Sequence, residues 1–444
     1  MKHVCSYLCL CIILLPVSVS AKQDIVSSYQ SAFILANKQM ANNELDQAEA
    51  TLRNLKGTTS SQEEIEKWFL LGRIYAAKGE FDTAIQIYTT ILNKQPDLSR
   101  IRFELALCYM KTERWYRAEH HLRLAMAGKD LPENAKQMMT YYRYVIRQNK
   151  RWNVWFNFGA APDSNVNNGN GGQECIDTIF GTLCRNLRDP ESVVGANLTL
   201  GGNYEFILSD HWRWKSDANI YSNTYDKHNY DDLYLSVSTG PRYIWSKGDI
   251  WLAAVGARRW YGREAYNWSY GAKVDTNYDF TRRLSGGLVL RILDNRYDQY
   301  GTIFDGQTYS AYVHTIYSFN ARAYGVFKTG ITRENTVDSA YSYWQPNIAV
   351  GFGVELPYGF HLYAEPSFFW VNYDDPQIVV KDGYFSRITE RDFIQRYSFS
   401  VSNNKFDIWG FVPTLTIAYS RRDSNIWQRE YDKYTAEFTF QQRF

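Results

Sequence analysis

The histidines are the first residues to weigh for chemistry, because imidazole is the usual general base and a common metal ligand. There are seven. His3 lies in the N-terminal segment, His120 and His121 in a helical pattern, and His314 in a strand pattern. His211 and His361 sit near short turns and His228 in a polar loop. None has a serine and an acid at hydrolase spacing. No histidine, cysteine or carboxylate cluster reads as a metal site, and the pair Asp374-Asp375 reads as loop solvation. The expectation is no catalytic residue, no metal and no cofactor, with a hydrolase as a minor alternative. Cys175 and Cys184 stand nine apart in a Gly/Asn-rich stretch. In an oxidising compartment they can close a disulfide worth about 2–3 kcal/mol in loop entropy. Cys108, in a helical pattern, reads as a packed thiol.

Those residues need positioning elements, and the chain begins with one that is removed. Lys2 and His3 precede an apolar run from Val4 to Val19, and Val19-Ser20-Ala21 fits a small-residue cleavage site. Residues 1–21 therefore read as a signal peptide and are excluded from the fold. The net charge is +2 with 22% charged residues, which gives no pointer to nucleic acid. Beyond the N-terminus no apolar run is long enough for a membrane helix. Aromatic residues make up 16% of the chain, with 35 tyrosines, an excess that needs a reason.

Residues 22–150 read as helical repeats. Glu44-Leu45-Asp46-Gln47-Ala48, Glu80-Phe81-Asp82-Thr83-Ala84 and Glu113-Arg114-Trp115-Tyr116-Arg117-Ala118 place alanines 36 and 34 residues apart. That is the tetratricopeptide period. Trp68, Leu71, Gly72, Tyr75, Ala84, Tyr88 and Pro96 fit the pattern of the middle unit. Such arrays carry a groove on the first helix of each pair. Phe69, Arg73, Phe103 and Leu107 are the candidates to line it for a client; the phenylalanines read equally as core between repeats.

From about Arg151 the period changes to two. Leu198, Leu200, Tyr204 and Phe206 alternate with Thr199, Gly201, Asn203 and Glu205, and residues 347–356 and 434–441 repeat the pattern. Short turns near 209–211, 246–249, 281–283, 320–322, 357–359 and 403–405 alternate with longer loops near 162–194, 226–231, 262–268, 294–307, 334–344, 373–391 and 421–431. Thirteen connections imply fourteen strands. About 21 residues per strand leaves room for strands of about 10 residues plus connections. Aromatic residues cluster at strand ends, as boundary girdles do. The fold class is thus α plus membrane β: tetratricopeptide-like repeats followed by a 14-stranded antiparallel outer-membrane β-barrel over 151–444. An even strand number puts both barrel ends, and the repeats, in the periplasm. Inward positions such as Gly201, Asn203, Ala349, Gly351, Gly353, Thr414 and Thr416 suggest a roomy, chemically mild lumen, suited to bulky cargo. The same small residues would also make room for the 162–194 loop as an inward plug.

The order of signal, repeats and barrel resembles the surface lipoprotein assembly modulator (Slam) family, the type XI secretion outer-membrane translocons. Its sharpest local marks are Ala161-Pro162-Asp163-Ser164-Asn165-Val166-Asn167 and Arg421-Arg422-Asp423-Ser424-Asn425-Ile426. The last strand, with Tyr434, Phe438, Phe440 and Phe444, resembles the signal read by barrel-assembly machinery; Gln442 departs from it. The resemblance implies delivery of a client, a surface lipoprotein or soluble secreted protein, from periplasm to surface. It implies as partners that client, outer-membrane lipid, the assembly machinery and periplasmic chaperones. Asp163, Ser164 and Asn165 are candidate client contacts, with an Asx turn leaving the first strand as the plainer reading. The rivals are a polysaccharide exporter and a nutrient porin with a periplasmic repeat domain.

Overall fold

A computed structural model describes residues 19–55, 60–128, 132–406 and 411–443. The expected signal peptide lies outside the described residues except for 19–21, which open the first helix. The chain packs as two compact units, residues 1–91 and 92–444.

The first unit is helical: α1 (Val19–Ala41), α2 (Leu45–Arg53), α3 (Ser61–Lys78) and the bulk of α4 (Phe81–Lys94). Ser60 caps α3 by accepting a bond from the Glu63 amide, and Gly79 ends it at φ 83°. That left-handed angle is one glycine takes without steric cost. Ala36, Ala48, Leu52, Leu70, Leu71 and Ile74 form the core. Gly72 is small of necessity: a Cβ there would stand 2.5 Å from the Tyr88 ring. Lys78 bonds to Asp46 at 2.5 Å and Glu49 at 2.7 Å, holding α3 to α2. The bond from Lys78 to Glu49, with one from Tyr75, pulls the Glu49 carboxyl down to about 2.

The second unit begins with three helices, α5 (Ser99–Lys111), α6 (Trp115–Met126) and α7 (Glu133–Asn149). Three residues later β1 (Trp152–Ala160) opens the barrel. A hairpin of β2 (Gln173–Thr178) and β3 (Gly181–Asn186) interrupts it. There follow β4 (Gly195–Ile207), β5 (Trp212–Tyr225), β6 (Asp232–Trp245), β7 (Gly248–Tyr261), β8 (Glu264–Asp279), β9 (Leu284–Tyr297), β10 (Gly306–Ser318), β11 (Ala323–Thr336), β12 (Tyr343–Glu355) and β13 (Phe360–Tyr373). A second hairpin, β14 (Gln377–Lys381) and β15 (Tyr384–Ile388), precedes β16 (Arg391–Asn403), β17 (Val412–Ser424) and β18 (Tyr431–Arg443). Leaving out the two hairpins, fourteen antiparallel strands close on themselves, β18 pairing with β1.

The expected short turns all fall at one end, and six of the seven expected loops are loops. The exception is 262–268. There only Gly262 and Arg263 connect β7 to β8, both at positive φ, 60° and 68°. That pair makes a tight hairpin turn, and the polar residues after it belong to a 16-residue strand. Nor are the strands about 10 residues long: β4 to β13 and β16 to β18 run to 13–16. They outreach the hydrocarbon core, which needs about 9–11.

Which face looks inward follows from chords. Lys273 on β8 reaches Asp217 on β5 at 3.4 Å, and Lys328 on β11 reaches Glu365 on β13 at 2.7 Å. Only the concave face lets side chains from non-adjacent strands meet. Gly201 and Asn203 share parity with Glu205, and Ala349, Gly351 and Gly353 with Glu355, so they face the lumen as expected. The outer face carries Phe206, Leu252, Val350, Phe352, Ile417 and Phe438, all exposed. A band of apolar side chains turned out of a closed barrel is matched to hydrocarbon. In water each would forfeit about 1.5–3 kcal/mol of burial.

Candidate functional site

At the short-turn end, α5 to α7 are fastened to the strand ends by buried charge. Arg102 on α5 is fully buried. Its guanidinium donates to the Pro96 carbonyl at 2.8 and 3.1 Å and to Glu355 Oε2 at 2.6 Å, at the foot of β12. His120 Nε2 meets the other oxygen of Glu355 at 2.7 Å. Arg102 also lies 3.2 Å from His121 Nδ1, and Arg123 lies 3.3 Å from His120 Nδ1. Arginine has no acceptor, so both imidazoles accept at Nδ1 and are neutral. Burial, opposed by Glu355, lowers the His120 pKa; burial, with His120 and Arg102 alongside, lowers that of His121 well below its ordinary value.

On α7, Arg143 holds Asp279 at the foot of β8 at 2.8 Å. Arg147 pairs with the same carboxylate and donates to the Ser246 carbonyl at 2.9 Å. Arg213 donates to Gln148 at 2.6 Å. Arg283 reaches the Ala127 carbonyl at 3.1 Å, and Arg322 reaches Asp97 at 3.1 Å. The contacts thus take in five consecutive turns, from β4–β5 round to β12–β13. In the strand order β5 and β12 are seven steps apart, half the circumference of the fourteen. The three helices therefore occupy the mouth across its diameter. Taking charges out of water is costly and repaid only by good pairing, so this attachment specifies one seat.

The first family-like segment closes the barrel seam. β1 and β18 share six register pairs, Trp155↔Arg443 to Ala160↔Phe438. Beyond them the chain is stitched on. Ala436 N donates to the Pro162 carbonyl at 3.2 Å, and Ser164 N to the Tyr434 carbonyl at 3.0 Å. Tyr434 N donates to Ser164 Oγ at 2.8 Å, Asn165 Nδ2 to the Asp432 carbonyl at 3.1 Å, and Lys433 pairs with Asp163 at 2.8 Å. Asn165 N bonds to Asp163 Oδ1 at 2.9 Å, an Asx turn. Asp163 and Asn165 are buried; these side chains hold β18 and present little to a client. On the outer face of the seam the Phe158 ring stacks on Phe440 at 5.4 Å, and Phe438 lies 5.3 Å from Phe440. The Tyr434 ring lies 4.9 Å from that of Tyr419, tilted against it. Phe444 lies outside the described residues.

The second segment ties two loops together. Arg422 pairs with Glu390 at 2.5 Å and with Asp392, and Asn425 accepts from the Arg391 amide at 2.8 Å. Cys175 and Cys184 face each other across β2 and β3, joined Sγ to Sγ with Cα atoms 4.0 Å apart. Every residue of β3 is exposed and the hairpin meets the β14–β15 turn, Asp177 N to the Gly383 carbonyl at 2.9 Å. The β2–β3 hairpin thus packs against a neighbouring outer loop and does not plug the lumen.

Of the groove candidates, Phe69 and Arg73 belong to the first unit, Phe103 and Leu107 to the second. Phe69 is 2% exposed with its ring 6.2 Å from Tyr88. It is core and offers nothing to a client, because the small Gly72 lets the paired helix close over it. Arg73 is half-buried and reaches Asn37 at 3.5 Å. Phe103 packs 6.0 Å from Tyr142, and Leu107 is half-buried. The lumen departs from the expected mildness. Lys215 and Lys273 lie 4.1 and 4.2 Å from the Trp251 ring centre, and Arg242 binds Glu205 at 2.7 Å and Asp249 at 3.0 Å. Reading small positions strand by strand misses such clusters; the register assembles them.

Residues 152–444 match the family described as surface lipoprotein assembly modifier, and residues 68–99 a tetratricopeptide repeat. A surface lipoprotein assembly modifier of Pasteurella multocida is 22% identical over 83% of this chain and 74% of its own. The hemophilin secretion modulator of Acinetobacter baumannii is 20% identical over 85% and 78%. The surface lipoprotein assembly modifier 1 of Neisseria meningitidis serogroup B is 23% identical over 87% and 77%. Among solved structures the outer membrane channel DcaP of Acinetobacter baumannii aligns at TM-score 0.38 and 9% identity, covering 67% of this chain and 98% of its own.

Proposed function

The chain belongs to the surface lipoprotein assembly modifier family, and from that premise we propose that it is an outer-membrane translocon delivering a client protein from periplasm to cell surface. The barrel stands in the outer membrane, its apolar face in hydrocarbon, with the short turns and helices in the periplasm. The observation that carries the reading is the helical floor: three helices clamped by arginine–carboxylate pairs across the periplasmic mouth of a wide polar barrel. A passive solute pore has no use for a helical floor clamped at its entrance. A conduit for proteins does, since such a floor can receive a client where the lumen begins.

The chain's residues supply binding and passage, with no bond-making step. The periplasm holds no ATP, so net movement draws on client folding outside or on chaperones inside. The assembly machinery and chaperones are proposed partners on the same footing.

Surface biotinylation of cells with and without the gene tests this. A specific surface or secreted protein is expected to disappear on deletion; an unchanged surface and secreted set overturns the proposal. Removing residues 22–150 separates conduit from pore. A translocon loses client display, whereas a nutrient pore keeps its conductance and supports growth.

A further inference from the structure

Near the outer mouth one lumenal row of residues crosses five strands in register. Tyr221 on β5 is opposite Tyr234 on β6, Tyr234 opposite Arg259 on β7, Arg259 opposite Asn267 on β8, and Asn267 opposite Tyr297 on β9. A bulge interrupts β7–β8 at Arg259/Trp260, leaving Tyr266 as the extra residue. Bulges re-aim side chains, and here the Tyr266 ring swings to Tyr297 at 5.4 Å and Tyr261 at 6.0 Å. The row lines an open concavity of about 330 Å³.

Its chemistry is specific. Arg259 is held bidentately by Asp232 at 2.8 and 2.9 Å and lies 5.2 Å from the Tyr266 ring centre. The guanidinium charge is thereby cancelled, so the site does not select an anion. What remains is rigid aromatic area with hydroxyl and amide groups at its edge. Tyrosine with asparagine and arginine is the composition by which antibody loops hold varied protein surfaces: large contact area at small entropy cost, with adaptable hydrogen bonds. Four inter-strand steps span about 19 Å, the reach of roughly six extended residues.

We propose that this row is a holding site for an extended segment of client polypeptide in the outer vestibule. The inference rests on the translocon reading and adds to it a lumenal route and a recognition chemistry. Binding there is weak and tolerant of sequence, because cargo that moves must also leave. The tyrosine excess then has a lumenal task besides the membrane girdle.

Four strains test it: wild type, gene deletion, Tyr221→Ala/Tyr234→Ala/Tyr297→Ala, and the same three positions changed to Phe. Each strain's barrel is checked for heat-modifiable mobility and equal outer-membrane amount. The proteins that deletion removes from the surface are expected to fall about tenfold in the alanine variant and to stay near wild type with phenylalanine, which keeps the stacking. Wild-type display in the alanine variant overturns the holding site while leaving the translocon standing. No surface change on deletion overturns both. Should the triple variant fail to assemble, Tyr234→Ala alone carries the comparison. In detergent, the purified full chain is titrated with a disordered peptide of about 20 residues and with maltoheptaose. Peptide binding lost in the alanine variant supports the proposal; binding of the sugar alone overturns it.

Discussion

Glu355 answers two cationic or donating partners, Arg102 and His120, from the end of a single strand. Glu355→Ala leaves Arg102 buried without its carboxylate, and breaking a buried pair this way costs about 3–5 kcal/mol. Faster tryptic cleavage within α5 and α6, in outer membranes whose barrel stays intact, is the expected readout. The histidines add a pH dependence. His120 and His121 are faced by Arg102 from α5, by Arg117 and Arg123 from α6, by Glu355 from β12 and by His361 from β13. Both α6 histidines have pKa values below the ordinary 6.5. The unfolded or undocked state therefore binds more protons just below 6.5. Docking is at full strength above 6.5 and weakens as pH falls from there toward the lowered values. Hydrogen exchange of α6 amides, corrected for intrinsic rates, is expected to quicken between about pH 7.5 and about pH 5.5. His121→Gln keeps an acceptor for Arg102 and should flatten that response.

The β1–β18 seam has six register pairs, whereas β4–β5 has thirteen, and the Asp163–Asn165 stitch lengthens it toward the outside. Asn165→Ala removes side-chain bonds to the Asp432 and Gly169 carbonyls, the latter at 2.7 Å. Each lost bond is worth about 0.5–1.5 kcal/mol, more when a buried partner is orphaned. The barrel's heat-modifiable transition should fall by several degrees, about 2–4 °C per kcal/mol lost in a domain of this size. An unchanged transition would show that the seam does not limit stability. Reduction of Cys175–Cys184 acts on a different element. The hairpin lies outside the ladder, so a reductant should speed proteolysis at Ile179–Phe180 and leave the barrel transition where it was.

At the scale of the molecule, the floor occupies the mouth across its diameter and the tyrosine row lies at the far end. A cargo would meet charge first, then the ion clusters of the wall, then aromatic rings. If the floor closes the entrance, purified full chain in planar bilayers should conduct little, and deletion of residues 22–150 should raise its conductance severalfold. Glu355→Ala is expected to lie between the two. Equal conductance in all three would show that the floor leaves the entrance open.

Local patterns settled much of this in advance. Alternation of period two, six tight turns and the spacing of Ala48, Ala84 and Ala118 specify repeats and fourteen strands, because those features depend only on near neighbours in the chain. The Asx turn at Asp163 was legible for the same reason. What no local pattern holds is register and contact at long separation. Arg102 meets Glu355 across 253 residues, and Tyr221, Tyr234 and Tyr297 become one row only when four ladders fix their heights. Gly262-Arg263 misled because a two-residue turn and a polar loop look alike until the partner strand sets the pairing. Phe69 stays open between groove and core in the sequence, because which of the two a repeat phenylalanine faces depends on how closely the next helix approaches. The sequence by itself determined which elements form and in what order; closure of the barrel decided which side chains share a site, since a closed sheet brings the inward residues of distant strands onto one concave wall.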